Sequence, residues 1–223
     1  MLRLSRDEAV FSCILLYMGL GFIGLVSAEL YPIYVINDKA HGGFDLDSSA
    51  IGLLAMSGGP WMVVFQGLIY HRLTKYFGLR RFSMISLTLF SICLFTTPMQ
   101  SFSLNFSKDI QWVVLYVHYG LTTVIRVSCF TSSFVFTANS AFPEDRGKVN
   151  GLGQATVSLA RAVGPPLGTA IFAWSVSDVN RSFPFNYYFA WWICGFLVLI
   201  LLFRTRNLPA WIETKRIVNS IRS

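Results

Sequence analysis

Residues Asn150 to Trp174 read NGLGQATVSLARAVGPPLGTAIFAW, an apolar stretch of small residues with one arginine, Arg161, near its middle. The stretch is long enough to cross a hydrocarbon core, which takes about 20 helical residues. Because lipid provides no hydrophobic drive for helices to associate, close packing between them depends on small side chains. The composition therefore predicts a membrane helix, and the charge within it indicates a functional or buried, paired role.

The helical period sorts this stretch into two faces. The polar face covers an arc of about 80° and consists of Asn150, Gln154, Ser158, Arg161 and Pro165. The face of small residues consists of Gly153, Ala160 and Gly164. Arg161 follows Asn150 by eleven residues, about 17 Å along the axis at 1.5 Å per residue, which puts it near the bilayer midplane. We therefore expect one face to line a cavity and the other to pack closely on a neighbouring helix.

The whole chain has a membrane composition. Of its 223 residues, 54% are hydrophobic and only 13% charged, against roughly a quarter charged in a soluble domain. The formal charge of +7 does not indicate nucleic-acid binding, since no basic stripe is interleaved with exposed aromatics. The four cysteines lie in separate apolar runs without CxxC spacing, so neither a disulfide framework nor a metal site is predicted.

Six runs are predicted to cross the bilayer, at 9–30, 50–70, 82–102, 110–137, 149–174 and 184–204. Of the 18 Lys and Arg residues, only Lys39, Lys108 and Arg181 fall in loops on one side, while Arg126 and Arg161 lie within spans and the other thirteen lie opposite. This bias predicts that both termini, including a basic tail at 205–223, are cytoplasmic. The two sequons, at Asn105 and Asn180, then fall on the outer or luminal side. A cleaved signal peptide ending at Val26-Ser27-Ala28 is a less favoured alternative.

The fourth span carries a polar stripe, which predicts that one face of this helix lines a cavity. The stripe consists of His118, Thr122, Arg126, Cys129, Ser133 and Thr137. The alternative is that its hydroxyls bond the preceding turn and that Arg126 snorkels to the headgroups, with His118 as a satisfied core histidine. Almost every acid lies in loops or tails, and only Glu29 lies near the end of a span. We therefore expect an anionic substrate or another chain segment to supply the counter-ion of the arginines.

Two patterns resemble signatures of the major facilitator superfamily. Gly151, Ala160, Gly164-Pro165 and Gly168 have the spacing of its antiporter motif, with Ala for the second glycine and Thr169 for the last. The stretch from Gly67 to Arg81 is similar to its cytoplasmic signature, a basic loop formed here by Arg72, Lys75, Gly78, Arg80 and Arg81. The acid of the stronger form of that signature is absent.

A wider resemblance is to the C-terminal half of zinc-induced-facilitator-like transporters. It is carried by Glu29-Leu-Tyr-Pro-Ile-Tyr34, His41-Gly-Gly-Phe44, Ser49-Ala-Ile-Gly52, Phe65-Gln66 and Arg146-Gly-Lys-Val-Asn150-Gly151. The resemblance implies an all-α membrane protein whose six helices form two inverted three-helix repeats, one half of a transporter fold. It also implies proton-coupled movement of a small solute or metal chelate across a vacuolar or plasma membrane. No zinc site is predicted, because His41, His71 and His118 lie on different elements.

The leading hypothesis is a secondary transporter that works by alternating access, with its site near the midplane. We expect the cavity residues to be Arg126, Arg161, Gln154, Asn150 and His118, with Trp61 and Gln66 as weaker candidates. Glu29 is the candidate proton-coupling carboxylate, and Gly151, Ala160, Gly164, Pro165 and Gly168 form the predicted packing and hinge element. The partners are the bilayer, the solute and either a second six-helix half or a second copy; no cofactor is predicted.

Two other classes of protein are alternatives to a transporter. A half-length protein without transport of its own, acting as an accessory or assembling with another half, fits six spans that follow a methionine. An intramembrane enzyme is disfavoured, since Ser57-Gly58-Gly59-Pro60 does not form a convincing nucleophile turn with a neighbouring His.

Overall fold

The computed structural model describes residues 8–213, and this part of the chain is a bundle of six long helices. The helices are α1 (Glu8–Ile36), α2 (Ser48–Phe77), α3 (Leu79–Asn105), α4 (Lys108–Ser140), α5 (Arg146–Val176) and α6 (Phe189–Arg206). The last nine residues of α3, Thr97–Asn105, are 3₁₀-helical, and short 3₁₀ turns lie at Lys39–His41 and Ala210–Glu213. Residues 1–7 and 214–223, with part of the predicted tail and the basic residues Arg3, Arg6, Lys215, Arg216 and Arg222, lie outside the described residues.

Within residues 8–213, five helices are long and apolar enough to cross a membrane. The helix that is not among them is α5, whose 31 residues span about 46 Å. Its polar face, with two Lys or Arg residues in the first turn and Arg161 inside, reduces its mean hydropathy. The length of α5 allows it to cross the membrane, and this crossing stays a prediction.

Helix α1 lies at the centre of the bundle, packed against α4, α5 and α6. It is apolar all round, as a helix surrounded by other helices should be. Helix α3 packs on α4 and α6, whereas α2 packs mainly on α4. Only 11% of the most apolar stretch of α2 is buried, against 50% for α1, so α2 presents most of its side chains outward.

The predicted basic loop is wrong in its local structure. Helix α2 continues through Arg72 and Lys75 to Phe77, and Arg80 and Arg81 already belong to the first turn of α3. The only connecting residue is Gly78, at φ +79, a conformation that side-chain-bearing residues rarely adopt. A sharp glycine junction between two helices therefore replaces the loop.

The two ends of the last span also differ from the prediction. Helix α6 begins at Phe189 rather than 184. After Arg206 the chain does not continue directly into a free tail, because Leu208 and Ile212 are buried in the main core. The Asn139 Nδ2 at the end of α4 donates a hydrogen bond of 3.1 Å to the Ile212 carbonyl. We call residues 207–213 the strap.

Candidate functional site

A cavity of about 250 Å³ lies between α1, α4 and α5, and both arginines of the membrane interior line it. We call it the arginine cavity. Its other lining residues are Leu20, Gly21, Gly24, Leu25, Ala28, Val127 and Phe130. The structure therefore brings together Arg126 and Arg161, which are 35 residues apart in sequence, at one opening.

Arg126 is half-buried and held by the backbone of α1. Its Nη1 donates to the Gly24 carbonyl at 3.2 Å, and the same carbonyl accepts from the Ser27 hydroxyl at 3.1 Å. A β-carbon at position 24 would lie 3.6 Å from the Arg126 side chain, an ordinary van der Waals contact, so the aliphatic part of Arg126 packs directly on α1 at this position. A peptide dipole, and not a carboxylate, is therefore the hydrogen-bond partner of this guanidinium.

Arg161 projects from α5 with an exposed side chain. Its guanidinium carbon lies 4.8 Å from the centroid of the Phe130 ring on α4, a cation–π distance. Within residues 8–213 it makes no hydrogen bond and no ion pair. All five of its N–H donors are therefore available to a ligand.

No acid pairs with either interior arginine among residues 8–213. The ion pairs found there join Asp38 to His41 in the connection between α1 and α2, and Asp145 to Lys148 at the start of α5. Glu29 is exposed towards the end of α1 and forms no ion pair with Arg126 among the described residues. The counter-ion that the sequence lacks is thus also missing from the described fold.

The polar face of α5 continues from the arginine cavity towards the start of the helix. Gln154 Nε2 donates to the Tyr17 hydroxyl of α1 at 2.8 Å, and the Tyr17 ring lies 4.9 Å from Phe130. Asn150 is half-buried, and its Oδ1 has no partner within the described part of the chain. Gln154 is therefore joined to the cavity through an aromatic pair, while Asn150 lies about six Å, one helical turn, further along.

The small-residue face of α5 packs on α1 at two of the predicted positions. A β-carbon at Gly168 would meet Val26 at 2.5 Å, and one at Gly164 would meet it at 3.1 Å. A β-carbon at Gly151 would meet nothing within 4 Å among residues 8–213, so a packing role for Gly151 stays a prediction. Ala160 lines an apolar groove between α1, α5 and α6, and α5 stays helical through Pro165.

The predicted cavity role of His118 is not what the structure shows. His118 lies against α3, where its Nε2 is 3.2 Å from the Cys93 carbonyl and its Nδ1 is 3.1 Å from Gln100 Nε2. Gln100 Oε1 accepts a hydrogen bond from the Tyr31 hydroxyl, and Gln100 Nε2 donates to the Thr97 carbonyl. The amide nitrogen of Gln100 therefore faces His118 and donates to its Nδ1. The network therefore fixes a neutral histidine that carries its proton on Nε2.

The two candidates on α2 also lie away from the arginine cavity. Trp61 packs over Gly120 of α4, where a β-carbon would meet its Nε1 at 2.6 Å. Gln66 lies in a π-helical segment of α2, Phe65–Ile69, and its Nε2 is buried without a partner among residues 8–213. Neither residue lines the arginine cavity, because α2 packs mainly on α4 and the cavity lies between α1, α4 and α5.

An acid of the strap, Glu213, lies at the glycine junction between α2 and α3. Glu213 Oε1 accepts from the Arg80 backbone N–H at 3.0 Å, and its carboxylate lies beside Gly78. The Arg80 guanidinium donates to the Arg206 carbonyl at the end of α6. A carboxylate at the start of a helix is favoured by the helix dipole, so Glu213 caps α3 from a distant point in the sequence.

Comparison with known proteins identifies the family of this bundle. The sequence profile described as Major Facilitator Superfamily matches residues 9–217. The chain belongs to the major facilitator superfamily. It is an integral membrane protein, and its six-helix bundle is consistent with one half of the superfamily fold.

The chain is similar to curated members of the superfamily from plants and fungi. A protein of Arabidopsis thaliana named as a probable peptide/nitrate transporter is 24% identical over 185 residues, which cover 81% of this chain and 37% of that protein. ZINC INDUCED FACILITATOR-LIKE 1 of the same plant is 21% identical over 180 residues, with 81% and 37% covered. The efflux pump azaK of Aspergillus niger is 22% identical over 212 residues, with 95% and 44% covered.

The chain spans well under half the length of these relatives, 37–44%. No solved structure matches it. The resemblance to the superfamily and to its zinc-induced-facilitator-like members, predicted from the sequence, is confirmed by the profile and by these relatives.

Several contacts of this superfamily member were missed by sequence reasoning. Phe130 follows Arg126 by four residues, so a search for aromatic neighbours on the same helical face would have found it. The Gly24 carbonyl and the Tyr17 hydroxyl are contributed by α1, which has no polar stripe to mark them. Glu213 was assigned to a tail, and nothing in its local sequence indicates the junction that it caps.

Proposed function

We propose that this chain is one half of a secondary transporter that moves a small solute or metal chelate by alternating access, and that it is not an enzyme. The observation that carries the proposal is the arginine cavity, in which two arginines from separate helices face one opening inside an apolar bundle. Charged residues at membrane depth mark substrate and ion pathways. Transporters of this kind bind their substrate near the midplane, between two repeats or halves.

A second half completes the transporter in this proposal. Helix α2 exposes large apolar side chains along most of its length, and α5 turns its polar face outward. Another six-helix segment, or a second copy of this chain, would cover these surfaces. A mass measurement of the complete assembly in detergent distinguishes the two, and a monomeric half that is inactive would favour the accessory role instead.

The proposal also includes sidedness and coupling. The basic ends of the helices lie on the cytoplasmic side of a vacuolar or plasma membrane, as the distribution of Lys and Arg predicts. Glu29, the carboxylate near the end of a predicted span, carries the coupling proton. Glu29→Gln is expected to uncouple solute movement from the pH gradient while leaving solute exchange at equal pH intact.

The test of the transport role is Arg161→Gln in the complete protein. We expect solute-dependent proton flux in proteoliposomes to be abolished, while the amount of inserted protein stays within twofold of wild type. Arg181→Gln is the matched control, because Arg181 also stacks on an aromatic ring, Trp174, at 4.0 Å but lies outside the cavity. Loss of folded protein would indicate a structural role for Arg161, and undiminished transport would contradict the proposal.

A further inference from the structure

We propose that the solute of the arginine cavity is a small organic anion, a carboxylate with an apolar body, and that Arg161 exchanges the Phe130 ring for this carboxylate on binding. The inference rests on the proposed function and adds the substrate class and a specificity-determining residue. It is carried by the unequal bonding of the two arginines and by the composition of the cavity walls.

The charge of the cavity selects for an anion. Two guanidiniums line the opening, and no carboxylate within residues 8–213 forms an ion pair with either of them. An uncompensated charge away from water is costly, and a ligand of opposite charge removes most of that cost. A cation entering the cavity would instead meet two like charges, so a bare metal ion or an ammonium is disfavoured.

The two arginines are not equivalent. Arg126 is fixed by its hydrogen bond to Gly24, whereas Arg161 has only the Phe130 ring as a partner among the described residues. A cation–π contact at a partly exposed site contributes about 0.5–1 kcal/mol, and a charge-assisted bidentate contact with a carboxylate is stronger. Arg161 therefore gains a better partner when an anion binds, while Arg126 supplies a fixed positive field.

The walls require the anion to have an apolar part. Apart from the guanidiniums, the side chains of the cavity are aliphatic or aromatic, contributed by Leu20, Leu25, Ala28, Val127 and Phe130. No hydroxyl or amide side chain lines the cavity, so a sugar-like solute would lose its hydrogen bonds with water without replacement. The volume of about 250 Å³ lies just below the roughly 300–1,000 Å³ of typical small-molecule sites.

Movement of Arg161 away from Phe130 would expose the face of that ring to the ligand. The neighbouring Tyr17 stays in place, since its ring lies 4.9 Å from Phe130 and its hydroxyl is held by Gln154. An aromatic carboxylate could then place its ring on Phe130 and its charge between the two arginines. Phe130 thus serves as the resting partner of Arg161 and as the apolar contact of the substrate.

Binding of benzoate to the complete protein in nanodiscs tests the substrate class. Benzamide is the neutral probe of the same shape, benzylamine the cationic one, and nitrate the anion without an apolar body, all titrated by calorimetry at constant ionic strength. We expect benzoate to bind at least tenfold more tightly than the other three. Equal affinity for benzamide or benzylamine, or no binding of benzoate, overturns the anion class; equal affinity for nitrate overturns the apolar body.

Variants of Arg161 test the exchange of partners. Arg161→Gln is expected to weaken benzoate binding at least tenfold, and Arg161→Lys to weaken it less, because an ammonium keeps the charge but not the planar fork. Arg181→Gln should bind benzoate as the wild type does. If Arg161→Gln does not fold, the lysine variant carries the test, and benzoate affinity equal to wild type in either Arg161 variant overturns the role of Arg161.

Solute uptake into proteoliposomes separates this inference from the proposed function. If the complete protein transports a neutral or cationic solute and Arg161→Gln stops that transport, the protein is a transporter and the anion inference is wrong. If it binds benzoate through Arg161 but transports none of the four probes, the anion site stands and the transport role fails for this solute class.

Discussion

Within the described part of the chain, the junction between α2 and α3 and the arginine cavity both contain arginines, but only the junction also contains an acid. At the end of the bundle, Arg80 lies where the strap delivers Glu213 to the start of α3, within reach of solvent. Inside the bundle, Arg126 and Arg161 line a cavity with a backbone carbonyl and an aromatic ring as their partners. The fold thus places an acid at the exposed junction, where it caps the backbone of α3, whereas no acid pairs with the two cavity arginines among residues 8–213. We therefore expect changes at the junction to affect stability and changes in the cavity to affect ligand binding.

The largest effect is expected from placing an acid in the arginine cavity, because this would remove the difference between the cavity and the junction. Ala28 lines the arginine cavity together with Arg126, so the carboxylate of Ala28→Glu should pair with that arginine and compete with any anionic ligand. We expect benzoate affinity and solute transport to fall at least tenfold. Ala28→Gln, which adds similar bulk without charge, is the control. Equal losses in both variants would mean that crowding, and not charge, causes the effect.

Removing the acid at the junction tests the other side of the comparison. Glu213→Ala leaves the Arg80 N–H without its acceptor, a loss like that of a helix cap, which costs about 1 kcal/mol. We expect a lower thermal unfolding temperature and benzoate affinity unchanged within twofold. Asp145→Asn, which breaks the exposed Asp145–Lys148 pair, should change the unfolding temperature less. A loss of ligand affinity in Glu213→Ala would show that the two regions are coupled.

The smallest effect is expected at Asp38, in the connection between α1 and α2. Hydrogen bonds from the side chain and backbone of His41 lower the pKa of this exposed carboxyl below its usual 3.8. A lowered pKa in the folded state means that the contribution to stability is present above about pH 4. It is lost as the pH falls through the folded-state pKa. The unfolding temperatures of wild type and Asp38→Asn should therefore differ slightly at pH 6 and converge on acidification; a gap that widens in acid would contradict this sign.

The apolar runs predicted where the helices lie because length and hydrophobicity determine which segments can cross a membrane. The stretch opening at Asn150 falls entirely within α5, and its glycines at 164 and 168 meet α1 as small residues in a membrane interface should. What hydropathy could not show is the junction at Gly78, where one residue in a left-handed conformation joins two helices without a loop.

The polar stripe of α4 shows why the cavity was only partly predictable. The helical period groups His118, Arg126 and Thr137 on one face, but it does not say which neighbour each will meet. In the structure His118 faces α3, whereas Arg126 and Thr137 bond to backbone carbonyls of α1. Helices cross at an angle, so one stripe passes from one neighbour to the next along its length. Only contacts between helices, which a single sequence does not contain, separate the lining residues from the core.

The π-helical segment of α2, Phe65–Ile69, has a consequence for insertions and deletions. Its hydrogen bonds are closed over five residues, as in the bond from the Tyr70 N–H to the Phe65 carbonyl, so the segment holds one residue more than a regular turn. A deletion of Gly67 would restore ordinary helical geometry and leave both flanks of α2 in register with α4. A single deletion elsewhere in α2 would rotate all that follows by about 100°. Related chains that differ in length by one residue within this helix are therefore expected to differ at this segment.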